Sequence, residues 1–425
     1  MKRVLIITYY WPPAGGPGVQ RWLKFVKYFR EFGVEPIVYA PENPNYPLVD
    51  DNFISEIPSD VEIIKQPIKE PYRLANIFSK KKTKQFSSGI ISKKDVSAME
   101  KLMLYVRGNF FIPDARVGWV QPSVKFLSKY ITENPVEVIV TTGPPHSLHL
   151  IGLQLQKKTG VKWIADFRDP WTTIHYHKSL RLNKTSERKH KDLEAEVLKS
   201  ADALTVTSPR TKKEFEAITE KPIEVITNGY DVSKEVSFKR DTKFSIAHIG
   251  SLLSERNPKV LWKVLSEISM ENASFKNDLW LKFAGAVSEE VKKSIDDFGL
   301  SENCKFFGYV SHSKALMLQL ESQILLLVEI NSSETRAIIP GKLFEYLAAK
   351  RPIIALGPKG SDIEGILNET KAGKFFSYRD EKTLKVEILK LYEQFSTGNL
   401  NIASEGIEKF SRRELTRQMA SFISR

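Results

Sequence analysis

Short apolar runs, each followed by a Gly- or Pro-rich break and then an amphipathic stretch, set the pattern of this chain. Residues 4–8 read as a strand, 9–18 (YYWPPAGGPG) as a loop, and 19–32 as a helix by the spacing of Trp22, Phe25, Val26 and Phe29. Residues 36–40 predict a second strand. Between 41 and 121 the period fades, with one strand expected over 61–65. Alternation returns with strands at 136–141, 161–167, 203–207 and 223–227, a helix running to Lys158 and another over 187–200. After a polar stretch at 231–243, read as a linker, the scheme restarts. Strands are expected at 244–249, 279–284, 305–310, 324–328 and 353–356, with helices between them and a last helix over about 405–423.

Strands alternating with helices predict parallel sheets, so the expected class is α/β with two doubly wound Rossmann-like domains. The boundaries follow the breaks: 1–235, 236–408, and a terminal segment 409–425. A cleft between two such domains is a favoured ligand position.

Composition is ordinary for a globular chain, with 41% hydrophobic and 27% charged residues. The single cysteine, Cys304, excludes a disulfide framework, and the seven histidines show no zinc spacing. No run approaches the ~20 apolar residues needed to cross a bilayer, and the apolar start at 4–10 stops at Trp11-Pro12-Pro13 without a cleavage site. A cytoplasmic protein is therefore expected. The net charge of +13 fits nucleic acid, anionic lipid or phosphorylated substrates without choosing among them. Lys80, Lys81, Lys82 and Lys84, beside the amphipathic stretch 99–112, suit an anionic membrane surface; a solvated loop and a core helix explain them equally well.

The stretch richest in chemistry is 336–357, RAIIPGKLFEYLAAKRPIIALG. Pro340-Gly341 opens a helix over about 342–349, which ends before Pro352. Lys342 lies in its first turn, where free N–H groups and the helix dipole favour an anion, and Glu345 shares its face three residues on. A phosphate at the helix start and a ribose on Glu345 together describe a nucleotide-sugar site; an ordinary surface ion pair is the bland alternative. In the first half, Gly15, Gly16 and Gly18 allow close backbone approach to a ligand, but neither a P-loop nor a G-x-G-x-x-G fingerprint is present. His146 and Asp169 sit just past strand ends, where ligands of parallel sheets collect. His146 there can position a hydroxyl or phosphate, and Asp169 can orient an acceptor hydroxyl; loop hydrogen bonds are the plain alternative.

With these residues in hand, the sequence resembles the retaining glycosyltransferases of family 4, of GT-B fold, in the branch that builds capsule and O-antigen polysaccharides. PGKLFEYLAAKRPIIA is similar to that branch's P-x-K-L-x-E-Y-x-A-x-x-x-P motif, and YYWPPAGGPG, DFRDPW, the Asn228-Gly229 turn, HIGSL with Arg256, and FFGYVSH support it. The resemblance implies a metal-independent hexosyltransferase that needs no cofactor. It would move a sugar, with retention, from a nucleotide-sugar such as a UDP- or GDP-sugar to a glycan or lipid-linked acceptor. The donor is held by the second domain and the acceptor by the first, onto which the terminal helix packs back. Glu345 then matches the ribose-binding glutamate, and Gly250 the start of the diphosphate loop. Arg256 matches a diphosphate lysine, and Phe307, Gly308, Tyr309 and Val310 border the base. Gly15 and Gly16 face the phosphates, with Ser251, Gly341 and Leu343 lining the donor. Two departures stand out: Ser251 replaces an arginine, with Lys342 a candidate to supply that charge, and Ala337 stands where the first of two family glutamates is expected.

Peripheral attachment to the inner face of the plasma membrane is a further expectation, and nucleic acid is not an expected partner. The alternatives left open are a nucleotide-sugar epimerase of the same fold, a basic nucleic-acid- or membrane-binding protein without catalysis, and a catalytically silent partner protein.

Overall fold

The computed structural model describes residues 1–70, 98–231, 237–402 and 404–425. The lysine run at 80–84 and part of the expected linker lie outside the described residues. The chain divides into two compact units, 1–228 with 412–425, and 229–411.

The first unit is a parallel sheet in the order β3-β2-β1-β4-β5-β6-β7. Its strands are β1 (Lys2–Ile7), β2 (Val34–Pro41), β3 (Glu62–Gln66), β4 (Val138–Gly143), β5 (Lys162–Phe167), β6 (Ala203–Val206) and β7 (Ile223–Val225). In the central strands, residues 4–7, 138–140 and 163–165 are apolar without a break because both faces are covered. Leu5 and Ile7 enter one core with Ile139 and Trp163, while Val4 and Ile6 enter the other with Val138 and Val140. That second face is covered by α1 (Pro17–Tyr28), a helix begun by Pro17, whose missing N–H is no loss at that position.

The helices that follow are α2 (Ala98–Phe110), α3 (Val120–Glu133), α4 (Ser147–Thr159), α5 (Lys184–Ser200) and α6 (Pro209–Glu216). Asn183 and Ser208 cap the last two through their side-chain oxygens. At the other end of the chain, Leu415, Met419, Phe422 and Ile423 recur at helical spacing. They bury against Trp22 and Phe25, so the terminal helix joins the first unit. That helix starts at Arg412 rather than near 405: Ser411 is extended, and residues 407–410 form a separate 3₁₀ turn.

The second unit repeats the plan in the order β10-β9-β8-β11-β12-β13, all parallel. It comprises β8 (Phe244–Ile249), β9 (Leu279–Ala284), β10 (Cys304–Gly308), β11 (Ile324–Val328), β12 (Ile353–Leu356) and β13 (Gly373–Phe376). Sequence periodicity missed β13, four residues long, whose Gly373 packs its backbone on Ile353 where a Cβ would lie 2.0 Å from the Ile353 carbonyl oxygen. The helices, in chain order, are α7 (Lys259–Glu271), α8 (Ala273–Asp278), α9 (Glu289–Asp297), α10 (His312–Glu321), α11 (Gly341–Ala349), α12 (Asp362–Thr370) and α13 (Glu381–Ser396), with α14 (Arg412–Ser424) the terminal helix. In each sheet the strand order reverses between the first and fourth strand in sequence, β1/β4 and β8/β11, which is where loops part to admit a ligand.

The first unit is fastened by a buried ion pair. Asp166, fully buried on β5, accepts from Arg21 at 2.8 Å, the Trp22 indole at 2.8 Å, Thr142 at 2.8 Å and Thr205 at 2.7 Å. Arg21 also donates to the carbonyls of Ile226 and Thr227. Burial alone would raise the Asp166 pKa, but the guanidinium, indole and hydroxyl donors hold it below the ordinary value of 3.8. Asp166→Asn leaves Arg21 buried without its counter-charge, so a loss of about 3–5 kcal/mol is expected in chemical unfolding. Because the folded-state pKa is depressed, the carboxylate's contribution is present above pH ~4 and disappears as pH falls through the lower folded value, so wild type and variant should converge in acid.

Candidate functional site

At the reversal point of the second sheet, β8 ends in His248 and Ile249, and Gly250 follows. Gly250 is left-handed, φ +120°, and a Cβ there would lie 2.8 Å from the Lys342 Nζ. Gly285, just past β9 and also left-handed, packs on the Gly250 backbone, where its Cβ would meet the Gly250 carbonyl oxygen at 2.6 Å. The Gly250 N–H donates to Ala284 O and the Gly285 N–H to Gly308 O, both at 2.7 Å. Three strand ends are therefore laced by backbone, and two glycines clear the space that a lysine head enters.

That lysine comes from the first turn of α11, which Pro340 precedes in extended conformation. Tyr346, one turn on, receives the Ile249 N–H at 2.9 Å and pins the helix to β8. Leu343, Phe344 and Leu347 bury in the core beneath, so Leu343 contributes packing, and its N–H is taken by Pro340 O. Lys342 Nζ lies 3.4 Å from His248 Nε2, while His248 Nδ1 faces Leu326 O at 3.0 Å. Donation from Nδ1 to that carbonyl leaves Nε2 as an acceptor for the ammonium. Burial and the adjacent ammonium hold His248 neutral, far below its usual pKa. Burial also pushes Lys342 down, to about 8, against the opposing charge of Glu329 and with that of Arg256.

Arg256, on a short 3₁₀ turn after β8, reaches Glu329 at 3.5 Å. Glu329 follows directly on β11 and is 2% exposed. Glu345 receives the Gln319 amide from α10 at 2.9 Å. Gly250 directly follows β8, Arg256 ends the 3₁₀ turn after it, and Lys342 and Glu345 lie on α11. Glu329, His248, Gly285, Gln319 and Tyr346 were not singled out. One signal pointed to Glu329: a carboxylate placed directly after an apolar strand, ILLLV, beside a reversal of strand order.

The remaining donor candidates border this group. Ser251 is exposed after Gly250, and Gly341 begins α11. Phe307 packs on the core, Gly308 is left-handed at the end of β10, Tyr309 is 92% exposed and Val310 is half-buried.

The candidates of the first unit have their own surroundings. Gly16 is left-handed at the start of α1, and Gly15 donates its N–H to Leu48 O. Asp169 is half-buried in the turn after β5. His146 directly precedes α4, with its ring parallel to Trp171 at 5.1 Å, and both its ring nitrogens are buried without a hydrogen-bond partner. Burial, with His149 beside it, holds His146 neutral. Its neighbour Arg168 donates to Gly18 O at 3.0 Å and lies over the Tyr10 ring, joining the glycine loop to the strand ends. Among the described residues, no group of three or more His, Cys, Asp or Glu is placed to hold a metal.

Residues 230–397 match the family model of glycosyl transferases group 1, and residues 92–234 match that of Glycosyltransferase Family 4. The lipopolysaccharide outer core galactosyltransferase WaaB, in its apo form, shares the fold at 13% identity and TM-score 0.57, with 100% of each chain covered. HepE from Anabaena, solved with UDP-glucose, superposes at 12% identity and TM-score 0.59, again over 100% of each chain. TarM gives 11% and 0.59, over 100% of this chain and 99% of that one. The fold is therefore GT-B. No curated protein matches the chain.

Lys342 thus lies against the Gly250 backbone at the second reversal point, with Arg256 on the turn that follows. Gly250→Ala adds a methyl group where the Lys342 head lies and strains a left-handed residue. Differential scanning should show a loss of about 1–3 kcal/mol, and calorimetry a nucleoside-diphosphate affinity lower by about tenfold or more, the cost of one displaced charge-assisted contact.

Proposed function

We propose that this chain transfers a hexose, with retention and without a metal, from a nucleoside-diphosphate sugar to a glycan or lipid-linked acceptor in cell-surface polysaccharide synthesis. The observation that carries the reading is Lys342 against left-handed Gly250, with Arg256 on the turn that follows, inside a region that matches glycosyl transferases group 1. As the glycosidic bond breaks, charge grows on the leaving diphosphate. Two fixed cations in a buried setting stabilise that charge without reorganising. Glu345, on the same helix as Lys342, is suited to accept the ribose hydroxyls. A metal is not needed for charge neutralisation where two side-chain cations supply it. Retention rests on the resemblance to family 4. The surface-polysaccharide role is supported by likeness in fold to a lipopolysaccharide enzyme, and a sugar-nucleotide donor by likeness to a protein solved with UDP-glucose.

A membrane-bound acceptor would suit helix α2. Leu104 and Gly108 face inward, Gly108 against Leu180 and Leu182, while Met99, Leu102, Val106 and Phe110 line an exposed stripe, Phe110 at 72% exposure. This arrangement supports shallow peripheral attachment to an anionic bilayer. No helix among the described residues is long and apolar enough to cross a membrane.

Incubation with UDP-, GDP-, ADP- and dTDP-linked hexoses and a lipid-linked acceptor extract tests the activity. Acceptor-dependent release of nucleoside diphosphate is expected with one of them. Epimerisation of the sugar without an acceptor, or no turnover, overturns the proposal. Glu345→Ala and Lys342→Met should each lower kcat/KM by about a hundredfold or more, the scale of a lost charge-assisted contact. Sugar-nucleotide affinity should be level below pH 8 and fall by up to about tenfold per pH unit above it, because the free site must then protonate Lys342 before binding. Leu102→Glu with Phe110→Glu should abolish co-sedimentation with phosphatidylserine vesicles while leaving turnover of a soluble acceptor fragment intact.

A further inference from the structure

Glu329 is an acidic side chain, buried and unused by the transfer just described. Its backbone is held on two sides: its N–H donates to Leu356 O at 2.8 Å, and its carbonyl accepts the Tyr378 hydroxyl at 2.7 Å. Oε2 is buried, makes no hydrogen bond, and has the Arg256 guanidinium at 3.5 Å. The titratable and charged groups around this spot come from every adjoining element: His248 from β8, Arg256 from the turn after it, Lys342, Glu345 and Tyr346 from α11, and Tyr378 from the loop after β13.

We propose that Glu329 is a positioning residue, an internal counter-anion that keeps Lys342 charged and holds Lys342 and Arg256 aimed at one point while the donor site is empty, and hands that role to the diphosphate when it binds. The proposal rests on the sugar-nucleotide reading of the site.

Two cations gathered in a buried space repel one another, and burial favours the neutral form of the one that can lose its proton. Lys342 can; a guanidinium cannot. Burial lowers the lysine, Arg256 lowers it further, and the Glu329 charge is the largest opposing influence. The dependence is mutual, since burial raises Glu329 and the charges of Arg256 and Lys342 oppose the rise. An ionised carboxylate only accepts hydrogen bonds, so it has none to give a phosphate oxygen. Once the diphosphate is in place, Glu329 repels it. The residue therefore supports binding by keeping Lys342 protonated and opposes binding by its own charge, and pH separates the two effects.

The test is an NMR titration of ligand-free protein labelled at lysine Cε, with the Lys342 resonance assigned by Lys342→Arg. Wild type should titrate near pH 8. Glu329→Gln, of the same shape without the charge, should titrate lower by about half a unit or more, and Glu329→Asp, which keeps the charge further away, should fall between. An unchanged midpoint in Glu329→Gln overturns the proposal. If Glu329→Gln does not fold, Glu329→Asp is read alone, and a midpoint equal to wild type overturns it. Calorimetry with the sugar nucleotide adds a change of sign: Glu329→Gln should bind at least as tightly as wild type at pH 6, where Lys342 is charged regardless, and more weakly at pH 8.5. Weaker binding by the same factor at both values marks a merely structural residue and overturns the proposal. If wild type binds none of the four sugar nucleotides, the donor reading fails, and the titration still decides what Glu329 does to Lys342.

Discussion

The head of Lys342 occupies space that any residue larger than glycine at position 250 would fill, and most of the second unit is arranged around that contact. Gly250 can stand there only because Gly285 lets the next strand end press on its backbone. The N–H groups of both glycines are carried by neighbouring carbonyls, so neither loop can relax without breaking a backbone bond. The lysine, in turn, arrives at this height because Tyr346 ties α11 to Ile249 one turn below. A flexible surface lysine would lose much of its benefit in ordering entropy on binding; this one is ordered beforehand.

Pre-arrangement of charge has a cost that the site meets internally. A buried ammonium beside a guanidinium tends to shed its proton, and here a carboxylate at a strand end and a neutral histidine share the surroundings. The result is a site held near its own titration range. Fixed cations in such a setting favour a ligand whose negative charge rises during a reaction.

The first unit solves a different problem. Its buried charge, Arg21 with Asp166, is fully partnered and joins α1, β4, β5, β6 and the segment at 226–227. Its histidines are packed as rings: His146 on Trp171, His149 on Phe167. Burial drives His149 down to about 3, so both remain neutral through the physiological range. A histidine just past a strand end invites a chemical reading, and the packing around it reveals an aromatic neighbour instead.

Periodicity alone made the α/β class, most strands of both sheets and the repeated plan legible, because strands buried on both faces must be apolar throughout and turns between them need Gly, Pro, Asn or Ser. It also exposed Lys342 and Glu345, since helix geometry fixes which residues share a face. It erred on short pieces such as β13 and on the start of the terminal helix, where local propensity is weak and tertiary contact decides. The pairing of Gly250 with Lys342, 92 residues apart, and of Arg256 with Glu329 left no mark on local pattern. A parallel sheet gathers strand ends that are distant in the chain, and only the strand order determines which of them meet. Residue types and spacings therefore set the elements and the candidates, whereas the company each charge keeps, and with it each pKa, was decided by the tertiary fold through burial and the distance to the next charge.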